Sequence, residues 1–171
     1  MHYLEALLNE GVEVVRNNKL HLINWNDFDA IVISPGPGLP NEANQLMEAL
    51  PKFITSKKVL GVCLGIQAIV EYFGGALENL GKVHHGLQTN CRVLEPFSLF
   101  KGLPENIKIG RYHSWVSGHK LPNELVVIAK DEEENIMAIK HENLPIYGVQ
   151  FHPESVLTPN GKSIIENWLK L

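Results

Sequence analysis

Three stretches carry side chains or backbone groups suited to acyl transfer. The first reads KVLGVCLG over 58–65, where an apolar run ends in Gly61-Val62-Cys63-Leu64-Gly65 and the helical pattern IQAIVEYF follows at once. Strand, G-x-C-x-G, helix is the form of a nucleophile elbow with sulfur in place of the serine oxygen. Small residues on both sides let the backbone turn sharply. The helix beyond directs its free N–H groups and positive dipole end toward the sulfur, an arrangement that activates cysteines. The second stretch is Gly148–Ser155, GVQFHPES, in which His152 falls at the end of a strand-like run, where open α/β sheets place their sites. Residues two apart in an extended segment project to the same side, so Glu154 can orient the His152 imidazole. The third, Ser34-Pro35-Gly36-Pro37-Gly38, is a glycine-rich turn that exposes N–H groups after another buried strand. Donors from Gly36 and Leu64 would then flank a carbonyl attacked by Cys63.

Each stretch also has a plainer reading when taken alone. Cys63 is then a packed apolar cysteine, His152 and Glu154 are solvated turn residues, and the Pro/Gly loop is only a tight turn. Their combination favours one cysteine-based site.

The elements that must position these groups follow from periodicity. Met1–Asn9 reads as a helix with a Leu4, Leu7, Leu8 stripe, Glu13–Arg16 as a short strand, and Ala30–Ser34 as a buried strand. Asn44–Ser56 reads as a helix broken near Pro51, followed by the Lys58–Cys63 strand and the elbow helix, which Gly74-Gly75 closes. This alternation predicts an α/β fold: an open, mostly parallel sheet with helices on both faces. From Ala76 onward, short segments at Cys91–Leu94, Ile107–Tyr112, Leu125–Ala129, Ile136–Lys140 and Ile146–Phe151 predict added antiparallel strands. A last helix is expected from Gly161 to Leu171.

The chain has 171 residues, enough for one domain with a substantial core, and we read 1–171 as that single domain. A net charge of −4 gives no nucleic-acid footprint, and no apolar run approaches membrane-spanning length. Cys63 and Cys91 lie far apart in unlike settings, so we expect no disulfide framework and a cytoplasmic protein. The adjacent His84 and His85 do not have metal-ligand spacing, and no metal site is expected.

SPGPGLP, GVCLGIQAI, GRYHSW and GVQFHPESVLT, in that order, resemble the motifs of class I (triad-type) glutamine amidotransferases. The likeness is nearest to the glutamine-hydrolysing subunits of anthranilate synthase and aminodeoxychorismate synthase. It implies a flavodoxin-like fold and hydrolysis of L-glutamine through a Cys63–His152–Glu154 triad. It further implies an oxyanion hole from the N–H groups of Gly36 and Leu64, and contacts to glutamine from Gly36, Gln67, His113 and Ser114. Ammonia would pass to a chorismate-using synthase subunit. No cofactor is implied for this chain, since the family's magnesium belongs to that partner.

Two departures from the family pattern stand out. Relatives begin with a strand and a DNYDSFT-like loop, whereas this sequence opens at MHYLEALLNEG, so the sheet is expected to lack the family's first strand. Relatives also carry an HGKTS-like stretch where this chain has HHGLQTN. These departures motivate an alternative, a catalytically impaired partner-binding protein of the same fold. A cysteine peptidase sharing the triad is a third reading.

Overall fold

The computed structural model describes residues 11–81 and 85–171. The expected helix over Met1–Asn9 lies outside the described residues, as does His84.

The fold is built on three short parallel strands: β1 (Ala30–Ile33), β2 (Lys58–Val62) and β9 (Ile146–Val149). Their side chains alternate between two apolar clusters, as a sheet buried on both faces requires. Ala30, Val32, Leu60, Val62 and Val149 face one cluster, and Ile31, Ile33, Val59 and Ile146 face the other. Helix α2 (Leu64–Tyr72) supplies Ile66 and Ile69 to the second cluster, while α3 (Gly161–Lys170) supplies Ile164, Ile165 and Trp168 to the first. Helices therefore cover both faces, as periodicity predicts.

Beyond β9 the pairing turns antiparallel. β8 (Ile136–His141), β7 (Leu125–Asp131), β4 (Leu87–Val93) and β5 (Asn106–Arg111) follow in that spatial order, giving β1-β2-β9-β8-β7-β4-β5. The added antiparallel strands make up the larger share of the described sheet. A second, two-stranded sheet pairs β3 (Leu77–Asn79) with β6 (Trp115–Ser117).

Two local expectations need correction. Glu13–Arg16 forms no strand, and among the described residues β1 is the edge of the sheet, so the β-branched pair Val14-Val15 finds no strand partner there. Over Asn44–Ser56, regular α-helix is confined to α1 (Leu46–Ala49), followed by a 3₁₀ turn at Leu50–Lys52. Pro51 supplies no N–H, and Asn44 adopts φ 51°, so propagation is blocked at both ends.

The structure curls enough to bring its two halves together at the loop after β9. The N–H of His152 donates to Gly110 O of β5 (3.0 Å), and the Gly110 N–H donates to Thr158 Oγ1 (2.9 Å). The side chain of Gln88 in β4 donates to Leu157 O (2.8 Å).

Helix α2 crosses β2 at a separation set by Gly61. A Cβ there would lie 2.5 Å from the carbonyl carbon of Gly65, closer than such atoms approach, and the obstacle is backbone. Gly61→Ala is therefore expected to cost about 1–3 kcal/mol in urea unfolding. Gly11→Ala, where no atom of the described residues lies within 4 Å of the added methyl, should leave the midpoint unchanged. Equal midpoints for the two variants would contradict this account of the crossing.

Candidate active site

The strand-to-helix junction is an elbow in geometry as well as sequence. Cys63 precedes the first residue of α2 with φ 53° and ψ −100°, a conformation costly for any residue with a Cβ. Its N–H donates to Val149 O (2.8 Å), which ties the turn to β9. Gly65 permits the sharp return, since a Cβ there would strike Ile33 O of β1. Cys63 is left only 7 % exposed.

His152 stands three residues beyond β9. Its carbonyl accepts from Thr158 Oγ1 (2.7 Å) and from the Ser155 N–H (3.1 Å), so the 152–158 loop is closed on itself. The imidazole Nδ1 pairs with Glu154 Oε1 at 2.7 Å, as the i, i+2 spacing predicts. The ring of Tyr112 lies 4.8 Å from the His152 ring, and the Tyr112 hydroxyl meets Ser155 Oγ at 3.0 Å. Nε2 of His152 is buried and has no well-formed hydrogen bond among the described residues.

Electrostatics match this geometry. Burial disfavours the His152 cation, but Cys63 and Glu154 outweigh it and raise the pKa to about 9. Burial likewise pushes Glu154 upward, yet its bond to His152 holds the carboxyl below its usual range. The result is a cation-stabilising dyad, with the imidazole partly buried and its carboxylate partner reaching solvent, facing a cysteine and suited to move a proton between sulfur and a leaving group.

The predicted oxyanion donors adjoin the elbow. Leu64 is the first residue of α2, so its N–H has no acceptor within the helix. Gly36 lies against it, and a Cβ on Gly36 would sit 2.8 Å from Leu64 Cδ2.

Gln67 is one turn along α2 and 3 % exposed. Its amide nitrogen donates to Trp115 O (2.9 Å) and Gln150 Oε1 (3.3 Å). His113 is buried with its ring engaged on both sides: Nδ1 meets Trp115 O at 3.1 Å, and Nε2 accepts from Arg111 Nε at 3.3 Å. Because the ring is committed within the protein, the segment offers a ligand chiefly its backbone and the neighbouring Ser114, whose carbonyl accepts from the Leu80 N–H (2.9 Å).

Sequence reasoning brings Cys63, His152, Glu154, Gly36, Leu64, Gln67 and the His113-Ser114 segment to one region. It missed Tyr112, which flanks His152, and Gln150, which lies under the thiol. For Tyr112 the signal was its place within GRYHSW; Gln150, between Val149 and Phe151, has no local signal because its partners are 83 and 87 positions away.

Residues 2–171 match the family model described as "Glutamine amidotransferase class-I". Anthranilate synthase component 2 of Lactococcus lactis is 40% identical over 161 residues, covering 92% of this chain and 81% of the relative. The aminodeoxychorismate/anthranilate synthase component 2 of Bacillus subtilis is 38% identical over 166 residues, covering 95% and 85%. Among solved structures, a Thermoplasma acidophilum protein superposes with a TM-score of 0.84 at 27% identity, over 99% of this chain and 84% of its own.

The dyad gives stability a defined pH window. The raised pKa of His152 contributes stability that is complete below its ordinary 6.5 and is lost as the pH rises through about 9. The lowered pKa of Glu154 contributes stability complete above its ordinary 4.5 and lost as the pH falls through the lowered value. Both are complete between 4.5 and 6.5. In Glu154→Gln, the His152 titration followed by NMR should move to lower pH, and the alkaline loss of stability should begin earlier. An unmoved His152 midpoint in that variant would sink the pairing.

Proposed function

The chain belongs to the class I glutamine amidotransferases, and from that premise we propose that it hydrolyses L-glutamine as component II of anthranilate synthase, delivering ammonia to a chorismate-using synthase subunit. The observation that carries this reading is Cys63 at the elbow, with the His152–Glu154 pair across from it, in a chain that matches the family along its length.

In this reading Cys63 sulfur, relieved of its proton by His152, attacks the side-chain amide carbonyl of glutamine. The C–S bond forms as the carbonyl electron pair moves to oxygen, which the N–H groups of Gly36 and Leu64 receive. The C–N bond then breaks, His152 returns the proton to nitrogen, and ammonia leaves a glutamyl thioester. Water, deprotonated by the same imidazole, hydrolyses the thioester and releases glutamate. Glu154 keeps Nδ1 occupied so that Nε2 handles the proton, and it favours the imidazolium that forms. Gln67 and the 113–114 segment hold the substrate's amino acid end. These steps use protein groups and water, with magnesium assigned to the synthase subunit, and the setting is the cytoplasm.

A second reading, service to aminodeoxychorismate synthase, is favoured by the name of the Bacillus subtilis relative, which carries both activities. The two readings share the chemistry here and differ in the partner's product.

With a component I subunit, Cys63→Ala should lower glutamine-driven amination of chorismate by more than about a thousandfold. Ammonia-driven amination should be unchanged. A reactive glutamine analogue should label the wild-type complex at Cys63 alone, as mapped by mass spectrometry. Full glutamine-driven activity in Cys63→Ala would overturn the reading and favour an interaction protein. Product identity with each type of component I decides between the two pathways.

A further inference from the structure

We infer that Gln150 is a catalytic residue, whose side-chain amide donates to the sulfur of Cys63 and holds it as an oriented thiolate. The inference rests on the proposed role of Cys63 as nucleophile. Nothing in the motif pattern assigns Gln150 a function. The residue is 0 % exposed, and its Nε2 lies 3.7 Å from Cys63 Sγ, within hydrogen-bond reach of a large sulfur atom.

The orientation of that amide follows from the groups around it. Trp115 O is an obligate acceptor, so the Gln67 group facing it is the nitrogen (2.9 Å). The same nitrogen faces Gln150 at 3.3 Å, so Gln150 must present its oxygen there. The Gln150 nitrogen is thereby turned to the sulfur. Trp115 O also meets His113 Nδ1 (3.1 Å), the His113 Nε2 accepts from Arg111 Nε (3.3 Å), and Arg111 Nη1 pairs with Asp131 at 2.7 Å. Asp131 in turn accepts from Asn135, through its backbone N–H (2.8 Å) and its side chain (2.9 Å). A buried polar chain thus runs from the nucleophile across the core to β7, fixing donors and acceptors link by link.

A donor beside a buried sulfur acts chiefly on the anion, because a hydrogen bond to a charged acceptor is roughly twice as strong as one to a neutral acceptor. The Gln150 N–H is not transferred. It favours thiolate before attack and is released as the sulfur loses its charge to the new C–S bond. His152 takes the proton and Gln150 keeps the remaining electron pair aimed.

The test is the pH dependence of Cys63 alkylation by iodoacetamide, mapped by mass spectrometry on the full chain. Cys91 does not compete, because it is fully buried and burial pushes its thiol up to about 12. Gln150→Leu, which fills the space without a donor, should raise the alkylation midpoint by about one pH unit, the shift expected from one hydrogen bond to a charged group. Gln150→Glu keeps the shape and replaces the donor with an acceptor. It should raise the midpoint further, and it serves if the leucine variant does not fold. Circular dichroism and thermal melting establish that each variant compared is folded. A folded variant with the wild-type alkylation profile overturns the role of Gln150 and leaves Cys63 as nucleophile. Full glutaminase activity in Cys63→Ala would overturn both.

Discussion

Everything in this molecule that bears on chemistry depends on one costly backbone conformation, Cys63 at φ 53° and ψ −100°. A residue with a Cβ occupies that region only when its surroundings leave no alternative. Here the constraint comes from three sides. The Cys63 N–H is held by β9, Gly61 lets α2 approach β2, and Gly65 lets the first turn of the helix pass under β1. Since α2 is buried along seven consecutive residues, the strain is spread over a large apolar contact rather than resisted by a single bond. The same crossing aims the first N–H groups of the helix at the space above the sulfur.

A second constraint works against the first. Placing a nucleophile under a buried helix puts polar groups into the core, where each unsatisfied one costs about 1–3 kcal/mol. The chain meets this with a connected set of partners rather than isolated pairs. Gln150, Gln67, the Trp115 carbonyl, His113, Arg111 and Asp131 pair with one another across the sheet, leaving Arg111 Nη2 as a buried donor without a partner among the described residues, and the Arg111–Asp131 pair at its end is only 2 % exposed on each side. Such a pair is poor evidence of stability, because desolvating two charges offsets most of their attraction. Its value here is in fixing direction: Arg111 can only donate and Asp131 can only accept, so every amide and ring between them and Cys63 has one consistent orientation.

What was legible in the sequence divides along the same line. The elbow and the His152–Glu154 pair are local features, set by neighbours within a few residues, and both stand where periodicity and spacing put them. The helices on both faces follow from the near-continuous apolar runs of β1, β2 and β9, which need cover on each side. The polar chain was not legible. Its links join residues 83 and 87 positions apart, and no local pattern distinguishes Gln150 from a strand residue that happens to be polar. Glu13–Arg16 fails for the converse reason. Its Val14-Val15 pair is strand-like, but a strand needs a neighbour to accept its hydrogen bonds, and local residue type alone does not supply one. The Asn44–Ser56 segment is composed of good helix formers, yet Pro51 and the left-handed Asn44 cut it to a single turn of α-helix.

The two halves of the site come from the two halves of the sheet. Cys63 belongs to the parallel half, at the end of β2. His152 follows β9, but its loop is fastened to β5 at the far end of the antiparallel half, through Gly110 and Thr158. The distance between sulfur and imidazole therefore depends on the curl accumulated over β8, β7, β4 and β5, all linked by continuous backbone pairing. The His152 Nε2 has no well-formed hydrogen bond among the described residues, yet Cys63 is near enough to raise the imidazole pKa. Catalytic hydrogen bonds often tighten only when substrate is bound. The charge coupling of sulfur and imidazole is therefore in place before substrate arrives, and Glu154 holds the ring in the orientation that their proton transfer needs.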